Sequence, residues 1–428
     1  MWNRRRFLGR VSAGVGALTV LRPDGVERIL AASRRIAGRT PQEVAQDEDY
    51  WFYVQQAFTV DRNVVNLNNG TMQPNLRVVE ERMRKAYEYS AGVGAHTSSD
   101  LKEEIERVRR RLAYHAGCDA EEIAIARGGS ESGQIAIMGF DLKPGDEVVT
   151  TEYDYPRVIN SFRQRVRREG IVLKQAAMPP PWVEQDDLYD RLVKEITPRT
   201  KMIMICQMTH WTAQAAPVRR ICDMAHQRGI EVLVDGAHGF MHYPVNVREL
   251  GADYYLASLH KWCMAPPGNG FLYIRKSKIA ALWPLTPSEE KMAGDIRKFE
   301  DVGTRTEANR VAIAEGLAFN EGLGLERKAA RLRYLKERWA SRLKAQPKVH
   351  FLTSLKPEES CAIATISIDG LDMAKLTSKL HDDYGIVVSH MKHSNFDGIR
   401  IVPNVSNTLR ELDYFAESIE EVIKKGLV

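Results

Sequence analysis

Three short segments hold groups that could do covalent chemistry. Lys261 stands in Ser258-Leu259-His260-Lys261, Asp235 in Asp235-Gly236-Ala237-His238, and a glycine pair in Arg127-Gly128-Gly129-Ser130-Glu131. Burial lowers the pKa of a lysine and frees its amine to attack a carbonyl and form a Schiff base. A carboxylate carried into a dry site needs a partner, and a pyridinium N–H is one. Glycines that open a helix let the backbone approach a phosphate, where free N–H groups and the helix dipole favour the anion. Taken singly, each group has a commonplace reading. Gly-Gly-Ser also makes an ordinary turn and helix cap, Asp235 could cap a helix or join an ion pair, and a lysine after a strand is usually a solvated cation.

The elements that must position these groups give them weight. From about residue 73 to 274, apolar strand-like runs alternate with helix-period segments. Strands are expected at 122–126, 147–150, 202–206, 230–234 and 254–257. Helices are expected at 101–115, 132–140 and 218–227, the last stopped by Gly229. Near-continuous apolar strands separated by helices predict an α/β fold, a mostly parallel sheet sandwiched by helices. In such sheets ligands collect where strands end in loops, and each of the three segments follows a strand. The C-terminal part reads as a smaller α+β domain, with strands at 361–368 and 398–402 and helices at 373–382 and 408–424. The expected division is a signal-like segment and linker at 1–46, a segment packing on the body at 47–72, a large domain at 73–310 and a small one at 311–428.

In this order, the motifs resemble those of fold-type I enzymes of pyridoxal phosphate (PLP), specifically the class V aminotransferase family. Leu67-Asn68-Asn69-Gly70-Thr71 resembles the opening motif of its isopenicillin N epimerase-like branch. The resemblance runs from about residue 64 to the C-terminus. It implies that Lys261 holds PLP as a Schiff base and that Asp235 keeps the pyridine nitrogen protonated, so that the ring accepts electrons. It implies that His238 contacts the ring oxygen and that Gly129, Ser130, Ser258 and His260 bind the phosphate. Tyr153 takes the place of the aromatic residue stacked on the ring. His210 falls where desulfurases of the family have an asparagine near the ring oxygen. Gly303-Thr304 resembles a loop reaching the neighbouring subunit's phosphate, which implies a homodimer. On the substrate side, Asn69 and Arg400 are the expected residues, Arg400 matching the arginine that grips a carboxylate.

Family members differ in which Cα bond they break, so fold alone does not decide the reaction. The persulfide-forming desulfurases need a cysteine on a mobile loop before the carboxylate arginine. Here the stretch 389–397 reads Ser-His-Met-Lys-His-Ser-Asn-Phe-Asp, with His390 and His393 but no cysteine. The expected function is therefore a transaminase or epimerase-like reaction on an amino acid or amine. The alternatives are a C–S or other β-eliminating lyase and, in another class, a non-catalytic PLP-binding protein.

Composition narrows the rest. The chain has 428 residues, 44% of them hydrophobic and 27% charged, with a net charge of +5. Much of the excess lies at Arg4, Arg5, Arg6, Arg10, Arg22, Arg28, Arg34, Arg35 and Arg39. No basic stripe with interleaved aromatics marks a nucleic-acid partner. No GxxxxGK[ST] occurs and no GxGxxG follows the first strand, which argues against nucleotide folds. Cys118, Cys206, Cys222, Cys263 and Cys361 form neither a CxxC pair nor a metal-ligand cluster. Asn-Arg-Arg-Arg-Phe-Leu-Gly at 3–9, followed by an apolar run at 11–21 too short to span a bilayer, resembles a twin-arginine export signal. That predicts an exported, periplasmic enzyme without a stable membrane span.

Overall fold

A computed structural model of the protein describes residues 33–94, 97–178 and 184–427, so the twin-arginine-like segment lies outside the described residues. Among the described residues thirteen strands occur in chain order. They are β1 (Val65–Asn66), β2 (Ile123–Ala126), β3 (Glu147–Thr151), β4 (Val172–Ala176), β5 (Thr200–Cys206), β6 (Glu231–Asp235), β7 (Tyr254–Ser258), β8 (Gly270–Ile274), β9 (Val349–Phe351), β10 (Ala364–Ile368), β11 (Ile386–Val387), β12 (Ser389–His393) and β13 (Phe396–Ile401).

The central sheet runs β2-β8-β7-β6-β5-β3-β4. β8 is antiparallel to both neighbours, and the other six strands point one way. Both faces are covered, which explains why the strands read as unbroken apolar runs rather than alternating ones. Met202, Met204, Leu233 and Leu256 pack with Ile135, Val158 and Phe162 in one core. Ile203, Ile205, Val232, Val234 and Ala257 point the other way, into a core shared with Val108, Leu112, Ile221 and Ile313. The period-2 alternation of a strand thus feeds two apolar layers, and helices close both.

A second sheet, β12-β13-β10-β9, is antiparallel throughout. Its core joins Ile366 and Ile399 to Trp339, Leu343, Leu376 and Phe415 from the helices Leu325–Lys344, Met373–Tyr384 and Leu409–Lys425. β1 pairs with β11, and Leu67 enters the same core, so the segment around residue 67 belongs with this sheet.

Beyond the expected boundary at residue 310, the helix Ile313–Leu323 packs in the large core, and Leu325–Lys344 contributes Ala329 and Leu332 there but Leu335 and Leu343 to the small one. A 20-residue helix is about 30 Å long, enough to serve both cores. Within the segment read as linker, Pro41–Ala45 is a helix. Thr40 and Glu43 form a capping box, and Val44 and Ala45 are buried against Leu325–Lys344. The Thr-Pro-Gln-Glu pattern carried that signal. The stretch 389–397 lies in a hairpin of β12 and β13, in which Ser389 pairs with Arg400 and His393 with Phe396.

Candidate active site

The C-terminal ends of β5, β6 and β7 lie side by side, with Cys206 in register with Asp235 and Asp235 with Leu256. Above them opens a cavity of about 500 Å³. Gly129, Ser130, His210, Asp235, His238, Ser258, His260, Lys261 and Arg400 line it, joined by Gly70, Thr71, Tyr155, Cys206, Trp211, His390 and Met391. Residues from 70 to 400 in the sequence thus meet in one chamber.

At one end, the helix Gly129–Gly139 points its N-terminus at the cavity beside β7. The Gly129 N–H donates to Ser258 Oγ (3.2 Å), and a Cβ on Gly129 would sit 2.6 Å from that oxygen. Only glycine allows this approach, and it leaves the Ser258 hydroxyl proton for a ligand. Among the described residues His260 Nδ1 is buried without a partner, and burial, then the nearby Lys261, brings its imidazole down to about 4. A neutral imidazole, a serine hydroxyl and free helix N–H groups form a cradle suited to a phosphate.

In the middle, Asp235 is buried and accepts from the Ala237 N–H (2.9 Å). Burial raises its pKa, against that hydrogen bond and the pull of Lys261. A cationic N–H partner would offset the burial, which is what a protonated pyridine offers. Burial also pushes Lys261 down to about 8, against the attraction of Asp235. Its Nζ lies 3.1 Å from His238 Nε2. The Trp262 indole N–H donates to His238 Nδ1 (3.4 Å), so Nε2 is the nitrogen left to face the lysine. Burial, with the Lys261 charge next, holds His238 neutral, far below its ordinary value.

At the other end stands Arg400, 4% exposed. Nη1 donates to the His210 carbonyl (2.8 Å), and Nη2 to Asn68 Oδ1 (3.2 Å), Thr71 Oγ1 (3.2 Å) and Ser389 Oγ (3.4 Å). These acceptors are all neutral, and among the described residues Nε has no partner. Burial lowers the guanidinium to about 10.

Several sequence expectations move here. Tyr153 is buried away from the cavity, donates to Asn395 Oδ1 (3.2 Å) and meets His393 and Phe396 edge-on. Tyr155 lines the chamber instead, its ring 6.0 Å from Lys261 Nζ and edge-on to His210. Asp154 decides which tyrosine turns inward. Its carboxylate accepts from the Thr151 N–H (2.6 Å) and hydroxyl (2.9 Å) and from the Cys206 N–H (2.6 Å), tying the loop after β3 to the end of β5. Asn69 is also displaced. It is fully buried, and its Nδ2 donates to the carbonyls of Asn66 and Val402 (both 2.9 Å). It fastens the turn, while its neighbour Asn68 meets Arg400. Thr304 is exposed, beside Gly303 at φ 76°, and is not in its own chain's cavity. His393 lies outside the cavity as well, its Nδ1 2.7 Å from Asn395 Oδ1.

Lys328 escaped the sequence reading altogether. It is fully buried, donating to the carbonyls of Met241 (2.8 Å) and Trp262 and to Asn320 Oδ1 (2.7 Å). It pins together the loops that carry His238 and Lys261. Met241 pays for the fixed position with a left-handed φ of 62°. Nothing in a helical lysine's sequence context marks such burial.

Comparison with known proteins follows the same lines. The profile of the family described as aminotransferase class-V matches residues 64–411. An isopenicillin N epimerase of Amycolatopsis lactamdurans is 26% identical over 395 residues, covering 87% of this chain and 99% of its own. A probable cysteine desulfurase of Synechocystis sp. is 26% identical over 392 residues, covering 84% of this chain and 91% of its own. The cystine C–S lyase C-DES, in a structure with glycine covalently linked to the PLP cofactor, superposes with a TM-score of 0.75 at 20% identity, over 84% of this chain and 98% of its own. The orphaned His260 nitrogen, the glycine-lined cradle and the buried Asp235 and Lys261 fit that cofactor end to end. This chain therefore belongs to the class V aminotransferase family of fold-type I enzymes, and its cofactor is pyridoxal phosphate.

Proposed function

We propose that the protein transforms an amino acid at Cα, by transamination or an epimerase-like reaction. One observation carries this reading. Among the described residues, Arg400 is a buried cation with only neutral acceptors, in the same chamber as Lys261. A substrate carboxylate would supply the missing charge in bidentate geometry, and the substrate's amine would then meet the lysine end of the cavity.

When bound, PLP supplies an electron sink for a bond broken at Cα. The protein's own groups do the rest. Asp235 would keep a proton on the ring nitrogen, and Gly129, Ser130, Ser258 and His260 would hold the phosphate. Tyr155, on the cavity wall, would pack beside the ring. Lys261, lowered to about 8 by burial, is the amine that would hold the cofactor and the base placed to take and return a proton at the substrate's Cα.

The epimerase relative, matched over nearly its whole length, supports the epimerase-like form. The desulfurase relative favours a second reading, a β-eliminating lyase. A persulfide route is disfavoured on physical grounds. Cys206 is the cysteine that lines the cavity, and burial raises its thiol well above the ordinary value, where the nucleophilic thiolate is scarce. The presence of Lys261, Asp235 and His238 in one chamber speaks against a merely PLP-binding role.

The test is direct. Purified protein with PLP should be yellow, its band should shift with particular amino acids, and keto-acid, racemised or eliminated products should follow. A protein colourless with added PLP, or one converting no amino acid or amine, overturns the reading. Two companion proposals are a homodimer, supported by the exposed Gly303-Thr304 loop, and export by the twin-arginine-like segment. Sedimentation of the holoenzyme and a reporter fused to residues 1–46 check them. Among the described residues no helix is long and apolar enough to cross a membrane.

A further inference from the structure

We infer that Trp262 is a positioning residue for Lys261: its indole N–H fixes the tautomer of His238, so that the Nε2 hydrogen of His238 points at Lys261 and favours the free amine over the ammonium. The inference goes beyond the proposed reaction and rests on that reading only in taking Lys261 as the amine that holds the cofactor.

Two donors that do not titrate set the arrangement. The Ala362 N–H donates to His242 Nε2 (3.1 Å). That nitrogen must therefore be bare, and His242 carries its hydrogen on Nδ1, 2.8 Å from the His238 carbonyl that accepts it. The His242 ring in turn lies flat against Trp262, with centroids 3.6 Å apart and planes within 1°. Lys328 Nζ holds the backbone of Trp262 by donating to its carbonyl. So fixed, the indole N–H donates to His238 Nδ1 (3.4 Å). Burial keeps both imidazoles neutral, far below their ordinary values, so each has one hydrogen to place. On His238 it falls on Nε2, 3.1 Å from Lys261 Nζ. Trp262 and His242 are fully buried and His238 nearly so, which makes a misplaced hydrogen costly.

The consequence falls on the lysine. A neutral amine has a lone pair that accepts from Nε2–H. An ammonium has only donors, so it would face another donor at hydrogen-bond distance. For the ammonium to bond there, the His238 hydrogen must move to Nδ1, where it would meet the hydrogen of Trp262. Capture of PLP joins the Lys261 nitrogen to the aldehyde carbon and releases water, and it needs that lone pair. The other titratable and charged groups around Lys261 are Asp235 at the end of β6, Cys206 at the end of β5, Arg400 on β13, and His210, His260 and Tyr155. They stay the same whatever stands at position 262, so substitution there isolates the indole. The competing reading is that Trp262 only fills space in the core.

The experiment uses the full chain, freed of PLP and labelled with ¹⁵N-histidine. Two-bond ¹H–¹⁵N spectra show which ring nitrogen carries hydrogen, and the His238 signals are those lost in His238→Gln. Wild type should show hydrogen on Nε2. Trp262→Phe removes the N–H, and Trp262→benzothienylalanine replaces it with sulfur while keeping the two-ring stack on His242. Both should move the tautomer ratio about tenfold toward Nδ1–H. In both, the pH midpoint of PLP capture, read by stopped-flow absorbance, should rise by about one unit. A space-filling role would leave both readouts of the sulfur variant at wild-type values. That result, a wild-type His238 with hydrogen on Nδ1, or a tautomer shift without a change in midpoint overturns the inference. Should Trp262→Phe fail to fold, the sulfur variant decides. A Lys261→Ala protein that still forms the visible band overturns the reading of Lys261 on which the inference rests, and leaves the tautomer result standing.

Discussion

The two ends of the cavity are built differently. The cofactor end is made of strand termini and one helix N-terminus, from Gly129 to Lys261, all set by one sheet. Register alone places Cys206, Asp235 and Leu256 in a row. The proposed substrate end gathers Asn68 and Thr71, His210, Ser389 and Arg400, from segments up to more than 300 residues apart, around one guanidinium. The first end is a dry scaffold for one fixed ligand. The second is a cation held by exchangeable neutral acceptors. A family that keeps its cofactor and varies its reaction needs that division: changes at the second end leave the first undisturbed.

Breaking the first end should have the largest effect. Lys261→Ala should abolish the visible band and lower turnover by about 1000-fold or more, with far-ultraviolet circular dichroism unchanged. Breaking the second end should spare the cofactor. Arg400→Met should weaken amino-acid binding by at least about 100-fold, seen as a raised KM, while the band remains. An equal loss of cofactor would contradict the separation.

The pH response sharpens the picture of the first end. The neutral amine is the nucleophile, and Lys261 loses its proton as pH rises through about 8. PLP capture by cofactor-free protein should therefore speed up about tenfold between pH 7 and 9 and then level off. Burial sets that value and Asp235 opposes it, so Asp235→Asn should move the midpoint to lower pH. Stopped-flow absorbance would measure both. The smallest effect is expected at Tyr153→Phe, which removes one hydrogen bond to Asn395 and should cost about 1 kcal/mol of stability without altering the band. Tyr155→Ala should perturb the band instead, because it lines the chamber.

The same division governs what could be read in the sequence. Asp235, Ser258, His260 and Lys261 were legible because an unbroken apolar run buries its strand on both faces, so the polar residues that end it must stand at the sheet edge. The substrate end was legible only in part. Arg400 was found, but Asn69 was expected where Asn68 makes the contact, and Tyr153 where Tyr155 faces the cavity. Each error is one or two residues along a turn. In turns no periodicity says which side chain points inward, and long-range hydrogen bonds from Asn69 and Asp154 settle the matter. Lys328 gave no signal, since its three acceptors come from two loops and another helix.

By itself, then, the sequence determined the layered sheet, the family and the cofactor, because those follow from local apolar patterns and from motifs bounded by them. The tertiary structure alone decided that Tyr155 rather than Tyr153 lines the chamber, that Arg400 is left without an acid among the described residues, and that Lys261 sits beside His238. These depend on contacts between segments far apart in the chain, where burial and hydrogen bonding between distant backbones outweigh anything local sequence can express.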